Sequence, residues 1–161
     1  MGMHRNRVEV QASGEANCGG PRGGSPADWR SRPGDRLRGV PILVVEDDPP
    51  SAKLVALLLG QHGCVVRIAT NAEDALKALE EFRPRLIVLD LVLPRMGGLL
   101  FAHHIKSDPR FCDTVIVAAT VINGADVERI VRETGCAGYI RKPIDTETFA
   151  ATLADCLKEK S

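Results

Sequence analysis

From Val40 onward, short apolar runs alternate with segments of helical periodicity, and this alternation occurs five times. The runs of strand type are PILVVE (41–46), CVVRIA (64–69), RLIVLD (85–90), TVIVAA (114–119) and AGYIR (137–141). In the segments between and after them, apolar residues recur every three or four positions, as on one face of an amphipathic helix. The pattern predicts an α/β domain in which five strands and five helices alternate.

Helix starts are marked in the sequence by residues whose side chains suit the amino-terminal cap. The predicted caps are Asp48, which precedes two prolines, and Asn71, Asn123 and Asp145. The third helix instead follows a loop that contains Pro94, Gly97 and Gly98. The inward-facing residues predicted from the helical period are Ala52, Val55, Leu58 and Leu59; Ala75, Leu76, Leu79 and Phe82; Leu99, Ala102 and Ile105; Val127, Ile130 and Val131; and Phe149, Leu153 and Leu157.

The continuous apolar character of the strands indicates a parallel sheet that is covered by helices on both faces. In such sheets, ligands bind at the carboxyl ends of the strands. The residues that draw attention are therefore the polar ones that follow the strands. These are Glu46 and Asp47 after the first strand, Asp90 after the third, Thr120 after the fourth and Lys142 after the fifth.

Three carboxylates that meet at one edge of a sheet repel one another unless a cation lies among them. An all-oxygen set without His or Cys favours a hard ion, Mg²⁺ before Ca²⁺ or Mn²⁺. Lys142 adds a positive charge and Thr120 a hydroxyl at the same edge, so the group is suited to bind a phosphoryl group on a nucleophilic carboxylate. Each residue also has a plain alternative as a helix cap, a structural acid or a turn residue. Their common position at strand ends favours the chemical interpretation.

Residues 1–38 differ from the rest of the chain. They are rich in Gly, Pro, Ser and Arg and lack an apolar period, so we expect a disordered extension in which Trp29 is the one candidate for docking. The segment contains seven Arg and four acidic residues. This is a weak hint of nucleic-acid binding, and the mildly acidic remainder adds none. The sequence therefore predicts one domain, over residues 39–161, with no direct nucleic-acid partner.

The cysteines, Cys18, Cys64, Cys112, Cys136 and Cys156, are widely spaced and odd in number. Neither a disulfide framework nor a zinc site is indicated. No apolar run reaches the about 18 residues of a membrane span, and no signal peptide is evident, so the expected location is the cytoplasm without membrane insertion. His103 and His104 are adjacent on a helix, point in different directions and are expected on the surface.

The segments PILVVEDDP, LIVLDLVLPRMGGL, VIVAAT and GCAGYIRKPID resemble the receiver domain of response regulators, the CheY-like family. The resemblance covers about residues 39–160, and GCAGYIRKPID is similar to the stand-alone DivK type. It implies a flavodoxin-like, doubly wound (βα)5 fold with strand order 2-1-3-4-5. It also implies a single-domain protein without an output domain, which works in two-component signalling or a phosphorelay.

The resemblance assigns a role to each residue at the strand ends. Asp90 would accept a phosphoryl group from a histidine kinase or a histidine phosphotransfer protein. Asp47 and Asp90 would bind Mg²⁺ together with the backbone carbonyl of Val92, and Glu46 would act through water. Lys142 would pair with the phosphoryl group, and the Lys142–Pro143 peptide bond would be cis.

The resemblance also implies a switch. Thr120 would move to bond the phosphoryl group, and Tyr139 would follow it on the face formed by the fourth helix, fifth strand and fifth helix. A downstream protein would bind this face, and dimerisation on activation stays open. Apart from catalysing its own phosphotransfer and slow dephosphorylation, the chain is not expected to be an enzyme.

Some positions depart from the family pattern. Glu46 stands where Asp is common, and Val121 stands where Ala or Gly is usual. Val92 and Ile122, two residues beyond Asp90 and Thr120, are apolar and cannot orient an attacking water. We therefore expect a long-lived phosphorylated state.

Two other functions compete with the phosphorylated switch. A constitutive adaptor would use the same surface without phosphate. A Mg²⁺-dependent hydrolase of the haloacid-dehalogenase type would place D-x-D after the first strand, whereas Asp90 follows the third and precedes Leu91 and Val92. The sequence contains no P-loop signature, so nucleotide binding is not expected.

Overall fold

A parallel sheet of five strands lies at the centre of the fold. In the computed structural model, which describes residues 33–122 and 124–160, the strand order is β2-β1-β3-β4-β5. The strands are β1 (Pro41–Val45), β2 (Val65–Ala69), β3 (Leu86–Asp90), β4 (Val115–Thr120) and β5 (Gly138–Arg141). The predicted doubly wound α/β fold and its strand order are thereby confirmed.

Five helices follow the strands in turn and cover both faces of the sheet. They are α1 (Pro49–Gln61), α2 (Ala72–Glu81), α3 (Gly98–Ser107), α4 (Ala125–Thr134) and α5 (Phe149–Lys160). Helices α1 and α5 form one core with alternate strand residues such as Val44 and Val88. Helices α2, α3 and α4 form the other core with the intervening residues, such as Leu43 and Leu89. The continuous apolar strands thus supply both cores, because successive side chains point to opposite faces.

The capping residues behave as predicted at two helices. The Asp48 carboxylate accepts a hydrogen bond from the Ser51 amide at 3.1 Å, and the Asn71 side chain accepts one from the Asp74 amide at 2.7 Å. Asn123 lies outside the described residues. The Asp145 carboxylate accepts from the Glu147 amide at 2.9 Å within the turn that precedes α5.

Helix α3 departs from the predicted inward face. Leu99 is 41% exposed, while Phe101, Ala102 and Ile105 are fully buried. The helix begins at Gly98, and its buried face consists of Gly98, Phe101, Ala102 and Ile105. The sequence indicated the helix but assigned one residue to the wrong face, because Leu99, Leu100 and Phe101 are all apolar.

The described structure includes a short element before residue 39, the predicted start of the domain. Pro33–Leu37 form a 3₁₀ helix, and Leu37 is fully buried in the core shared by α1 and α5. The Gly39 amide then donates to the Gly63 carbonyl at 2.8 Å. A single buried leucine creates no apolar period, so the pattern could not reveal it. Residues 1–32, including Trp29, lie outside the described residues.

The four cysteines in the described ranges are free thiols. Burial, together with the charges of Glu159 and Asp155, raises the pKa of the Cys156 thiol to about 12. This group therefore stays protonated and packs as a small apolar side chain. Within the ranges described, no helix has both the length and the apolar character needed to cross a membrane.

The buried position of Leu37 leads to a stability prediction. Leu37→Ala is expected to lower the free energy of unfolding by about 2–5 kcal/mol, because a leucine in a packed core leaves a cavity when truncated. The matched control is Leu57→Ala, since Leu57 is 61% exposed; its change should stay within about 0.5 kcal/mol. Urea unfolding monitored by circular dichroism measures both. Equal small losses would contradict the packing of the 3₁₀ helix.

Candidate functional site

Three carboxylates meet at the carboxyl end of the sheet. Glu46 and Asp47 directly follow β1, and Asp90 is the last residue of β3. One oxygen from each can be chosen so that all lie within 4.8 Å of one another. Glu46 and Asp90 are 4% and 7% exposed, whereas Asp47 is exposed. The three carboxylates come together because β1 and β3 are hydrogen-bonded neighbours that run in parallel.

Backbone amides orient the two buried carboxylates. The Asp48 amide donates to Glu46 Oε1 at 3.2 Å, and the Val92 amide donates to Asp90 Oδ1 at 2.9 Å. In both cases the donor lies two residues beyond the acceptor, in the turn that leaves the strand. These local bonds satisfy one oxygen of each carboxylate and leave the other to face the site.

Lys142 lies just beyond β5 and brings a positive charge to these second oxygens. Its Nζ is 2.5 Å from Glu46 Oε2 and 3.3 Å from Asp90 Oδ2. The Lys142 amide donates to the Thr120 carbonyl at 2.9 Å, which ties its backbone to the end of β4. The Lys142–Pro143 peptide bond is cis, as the resemblance implied.

The charges of the site are unbalanced, with three carboxylates against one ammonium group. Burial raises the pKa of Glu46, and the nearby Asp90 adds to this effect, although the hydrogen bond from Lys142 opposes it. Burial alone would lower the pKa of Lys142, but its hydrogen bond to Glu46 and the charges of Asp90 and Glu46 raise it overall. The site therefore favours the binding of further positive charge.

The donor set fits a hard divalent cation. All three side chains offer oxygen, and no His or Cys belongs to the cluster. Two ligands on Mg²⁺ lie at most about 4.2 Å apart, since each is about 2.1 Å from the ion. The separations within 4.8 Å are close to this limit. Glu46, Asp47 and Asp90 could thus hold Mg²⁺ after small side-chain rotations.

Thr120 ends β4 beside the strand that carries Asp90. It is 1% exposed, and its neighbour Ala119 pairs with Asp90 in the sheet. Its Oγ1 accepts a hydrogen bond from the Ile122 amide at 3.1 Å. Accepting this bond does not use the hydrogen of the hydroxyl, which can still be donated to a group at the site.

The other predicted residues lie outside the carboxylate cluster. Tyr139 is half-buried on β5, where it packs against the core formed with α2, α3 and α4. His103 and His104 are both exposed on α3, as predicted. The carbonyl of Val92 lies in the turn after β3, and the amide of the same residue donates to Asp90 Oδ1.

Three apolar residues lie in the turns that follow Asp90 and Thr120. Val92 is 61% exposed and Val121 is 62% exposed, while Ile122 is half-buried. We call these three residues the apolar rim. None of the three offers a side chain that can form a hydrogen bond.

Gly98 is a site residue that sequence reasoning treated only as part of a loop. A Cβ at this position would lie 2.2 Å from the Asp90 carbonyl oxygen and 2.6 Å from the Leu91 Cα. The Gly98 amide also donates to the Leu91 carbonyl at 3.2 Å. Helix α3 therefore starts directly against the backbone that carries Asp90. The pair Gly97-Gly98 is the signal that could have indicated this close approach.

The contact at Gly98 predicts opposite effects for two glycine substitutions. Gly98→Ala is expected to lower the free energy of unfolding by about 1–3 kcal/mol, since the backbone of Asp90 must move to admit the methyl group. Gly60→Ala in α1, where a Cβ meets nothing within 4 Å, should raise it by about 0.5–1 kcal/mol. Urea unfolding measures both. A neutral Gly98→Ala would contradict the close approach.

Comparison with known proteins agrees with this geometry. The model of the response regulator receiver domain family matches residues 42–154. The polar-differentiation response regulator DivK of Brucella anthropi is 31% identical over 116 residues, which cover 72% of this chain and 94% of that protein. The phosphate regulon transcriptional regulatory protein PhoB of Escherichia coli is 33% identical over 121 residues, which cover 74% of this chain and 52% of PhoB.

Solved structures give the same result. The receiver domain of a DNA-binding response regulator (merR) from Colwellia psychrerythraea superimposes with a TM-score of 0.68 and 26% identity, covering 74% of this chain and 98% of that one. The chemotaxis response regulator CheY4 of Vibrio cholerae, at 24% identity and a TM-score of 0.70, shares the fold over 74% of this chain and 99% of its own. The chain therefore belongs to the response regulator receiver family of two-component signalling.

Proposed function

We propose that Asp90 accepts a phosphoryl group from a phosphohistidine and that this modification switches the protein between two signalling states. The observation that carries the proposal is the position of the Asp90 carboxylate. It is buried, lies 3.3 Å from the Lys142 ammonium group, and shares one edge of the sheet with Glu46 and Asp47. A carboxylate so placed can act as a nucleophile, and Lys142 together with a bound cation would offset the charge of the incoming phosphoryl group.

In the proposed transfer, a carboxylate oxygen of Asp90 attacks the phosphorus atom of the donor. The new O–P bond forms as the P–N bond breaks, and the imidazole leaves as a neutral ring after taking up a proton. Lys142 would pair with the oxygens of the transferred group. Mg²⁺ bound by Glu46, Asp47 and Asp90 would supply further charge neutralisation when present. The donor is a histidine kinase or a histidine phosphotransfer protein, and the reaction takes place in the cytoplasm.

The proposed output depends on residues next to the phosphorylated group. The Thr120 hydroxyl would turn from the Ile122 amide, 3.1 Å away, toward the new phosphoryl oxygens. Tyr139, on the neighbouring strand, would follow and change the surface formed by α4, β5 and α5. Phosphorylation would then raise the population of an existing minor conformation, which a downstream protein binds.

Incubation with acetyl phosphate and Mg²⁺ tests the proposed acceptor. Intact mass spectrometry should show the gain of one phosphoryl group in the natural protein and none in Asp90→Asn, which removes the nucleophile. Asp126→Asn, which changes an exposed acid on α4, is the matched control and should be phosphorylated normally.

The same experiment separates the competing functions. No mass gain in the natural protein, with an intact fold, would favour the constitutive adaptor. Continuous turnover of a phosphoester substrate would favour the hydrolase. Phosphorylation that persists in Asp90→Asn would place the acceptor elsewhere.

The apolar rim leads to a prediction about the lifetime of the phosphorylated state. Val92 and Ile122 offer no hydrogen-bonding side chain to position a water molecule for attack, so spontaneous loss of the phosphoryl group should take minutes or longer. Val92→Asn is expected to speed this loss by about tenfold, a fraction of the about 10²- to 10⁴-fold that a well-placed acid–base group contributes.

Val65→Asn is the control for this effect. Val65 is also an exposed valine, at 53%, but it lies at the start of β2, away from the site. The decay of the phosphorylated form is followed by intact mass after removal of acetyl phosphate. Loss within seconds in the natural protein, or equal rates in Val92→Asn, would contradict the role of the rim.

A further inference from the structure

We propose that residues 33–40 form a strap that holds α5 against the sheet and, by detaching locally, controls how firmly this helix is ordered. The proposal rests on the function proposed above in one respect, because α5 contributes to the proposed output surface. It adds a regulatory element before the first strand, at the end of the sheet opposite to Asp90. We call residues 33–40 the strap.

A single leucine fastens the first part of the strap to the core. Of the side chains described at residues 35–39, only that of Leu37 is buried, and it is fully buried. The core to which it belongs also contains three residues of α5, which are Leu153, Cys156 and Leu157. The hold of this segment on α5 therefore depends largely on one side chain.

Backbone hydrogen bonds fasten the other end of the strap to the turn between α1 and β2. The Gly39 amide donates to the Gly63 carbonyl at 2.8 Å, and the Val65 amide donates to the Val40 carbonyl at 3.0 Å. The strap thus connects the first strand–helix unit of the domain to its last helix. These two units are otherwise joined only through the sheet and a limited contact between α1 and α5.

Helix α5 depends on the strap for much of its packing. The 3₁₀ helix Pro33–Leu37 packs directly against α5, and more extensively than β4, β5 or α1 does. Two of the residues that α5 buries, Ala150 and Ala154, are small, so each contributes little apolar area to the contact. Loss of the strap would therefore remove a large part of the packing of α5 while the strands stay paired.

The strap is suited to open without unfolding of the whole domain. A segment held by one buried side chain and a few hydrogen bonds opens at a lower free energy than a central strand. Every residue of β3 and β4, by contrast, is buried. The expected open state keeps the sheet and the Asp90 site, while α5 is loosened.

The contact between the strap and the end of α5 lies largely outside the range shared with the family. The family model matches residues 42–154. The strap precedes this range, and Cys156 and Leu157 follow it. The contact is therefore a feature of this chain beyond the pattern that identifies the family.

Hydrogen exchange of the full chain, measured by mass spectrometry of its peptides, tests the strap. Leu37→Ala should speed exchange of the α5 amides by about 30-fold or more, the factor at the lower end of the range for a buried leucine truncated to alanine. Leu79→Ala is the matched control, since Leu79 is 2% exposed in the core on the opposite face of the sheet. It should speed exchange in the strands, which open with the whole domain, and leave α5 unchanged.

A second pair of variants acts on the backbone and leaves both cores intact. Gly39 and Gly124 have φ angles of 74° and 78°, and a Cβ at either position meets nothing within 4 Å. Alanine at either position is strained but collides with no atom. Gly39→Ala should speed exchange in α5 by about fivefold, whereas Gly124→Ala, which strains the start of α4, should not. This pair decides the matter if Leu37→Ala does not fold.

The Cys156 thiol reports the same opening by its reactivity. It is 1% exposed on α5, and burial raises its pKa to about 12, so it reacts slowly while the strap is closed. Cys136, which is 9% exposed in the opposite core, is the internal control. After a pulse of iodoacetamide, peptide mapping of Gly39→Ala should show faster labelling of Cys156 and unchanged labelling of Cys136.

Two results would overturn the strap. One is exchange of α5 at the same rate as the central strands in the natural protein. The other is an equal response of α5 to Gly39→Ala and Gly124→Ala.

Failure of the strap is distinct from failure of the proposed function, because exchange needs no phosphoryl group. Acetyl phosphate and Mg²⁺ should phosphorylate Gly39→Ala as they do the natural protein, since the strap lies at the other end of the sheet. No mass gain in the natural protein would contradict the proposed function alone. Uniform exchange together with normal phosphorylation would contradict the strap alone.

Discussion

Parallel register is the constraint on which the rest of this structure depends. Because β1, β3, β4 and β5 all run in one direction and pair without gaps, the residues that follow them meet at one edge. Residues as distant in the chain as Glu46 and Lys142 thus come into contact. The two cores hold the strands in this register, since a shift by one residue would move every apolar side chain to the opposite face.

The proximity of three carboxylates at one edge of the sheet determines the chemical character of the site. Burial and the neighbouring Asp90 raise the pKa of Glu46, and the surrounding acids raise the pKa of Lys142. The folded domain tolerates this imbalance because backbone amides at Asp48 and Val92 each satisfy one carboxylate oxygen. The same imbalance makes the edge receptive to a divalent ion.

Two chain-specific features modify this common arrangement. The longer side chain of Glu46 reaches Lys142, which couples the ammonium group to the proposed metal site. The apolar rim itself offers no side chain that could position water beside Asp90. The second feature underlies the long-lived phosphorylated state that we propose.

The sequence by itself determined the five-fold alternation of strands and helices, the caps at Asp48 and Asn71, and the polar residues at the strand ends. These follow from local rules, because helical period, apolar runs and capping chemistry each extend over a few neighbouring residues. The family resemblance added the strand order and the cis bond before Pro143. Together they indicated every member of the carboxylate and lysine group.

Tertiary structure alone decided three other matters. Leu37 joins the core from a segment with no apolar period, Leu99 faces outward although it lies in an apolar run, and Gly98 contacts the backbone of Asp90. The contacts of Lys142 with Glu46 and Asp90 also belong here, since they depend on side-chain lengths and distances across three strands. Such contacts join residues far apart in the chain, and no local pattern records them.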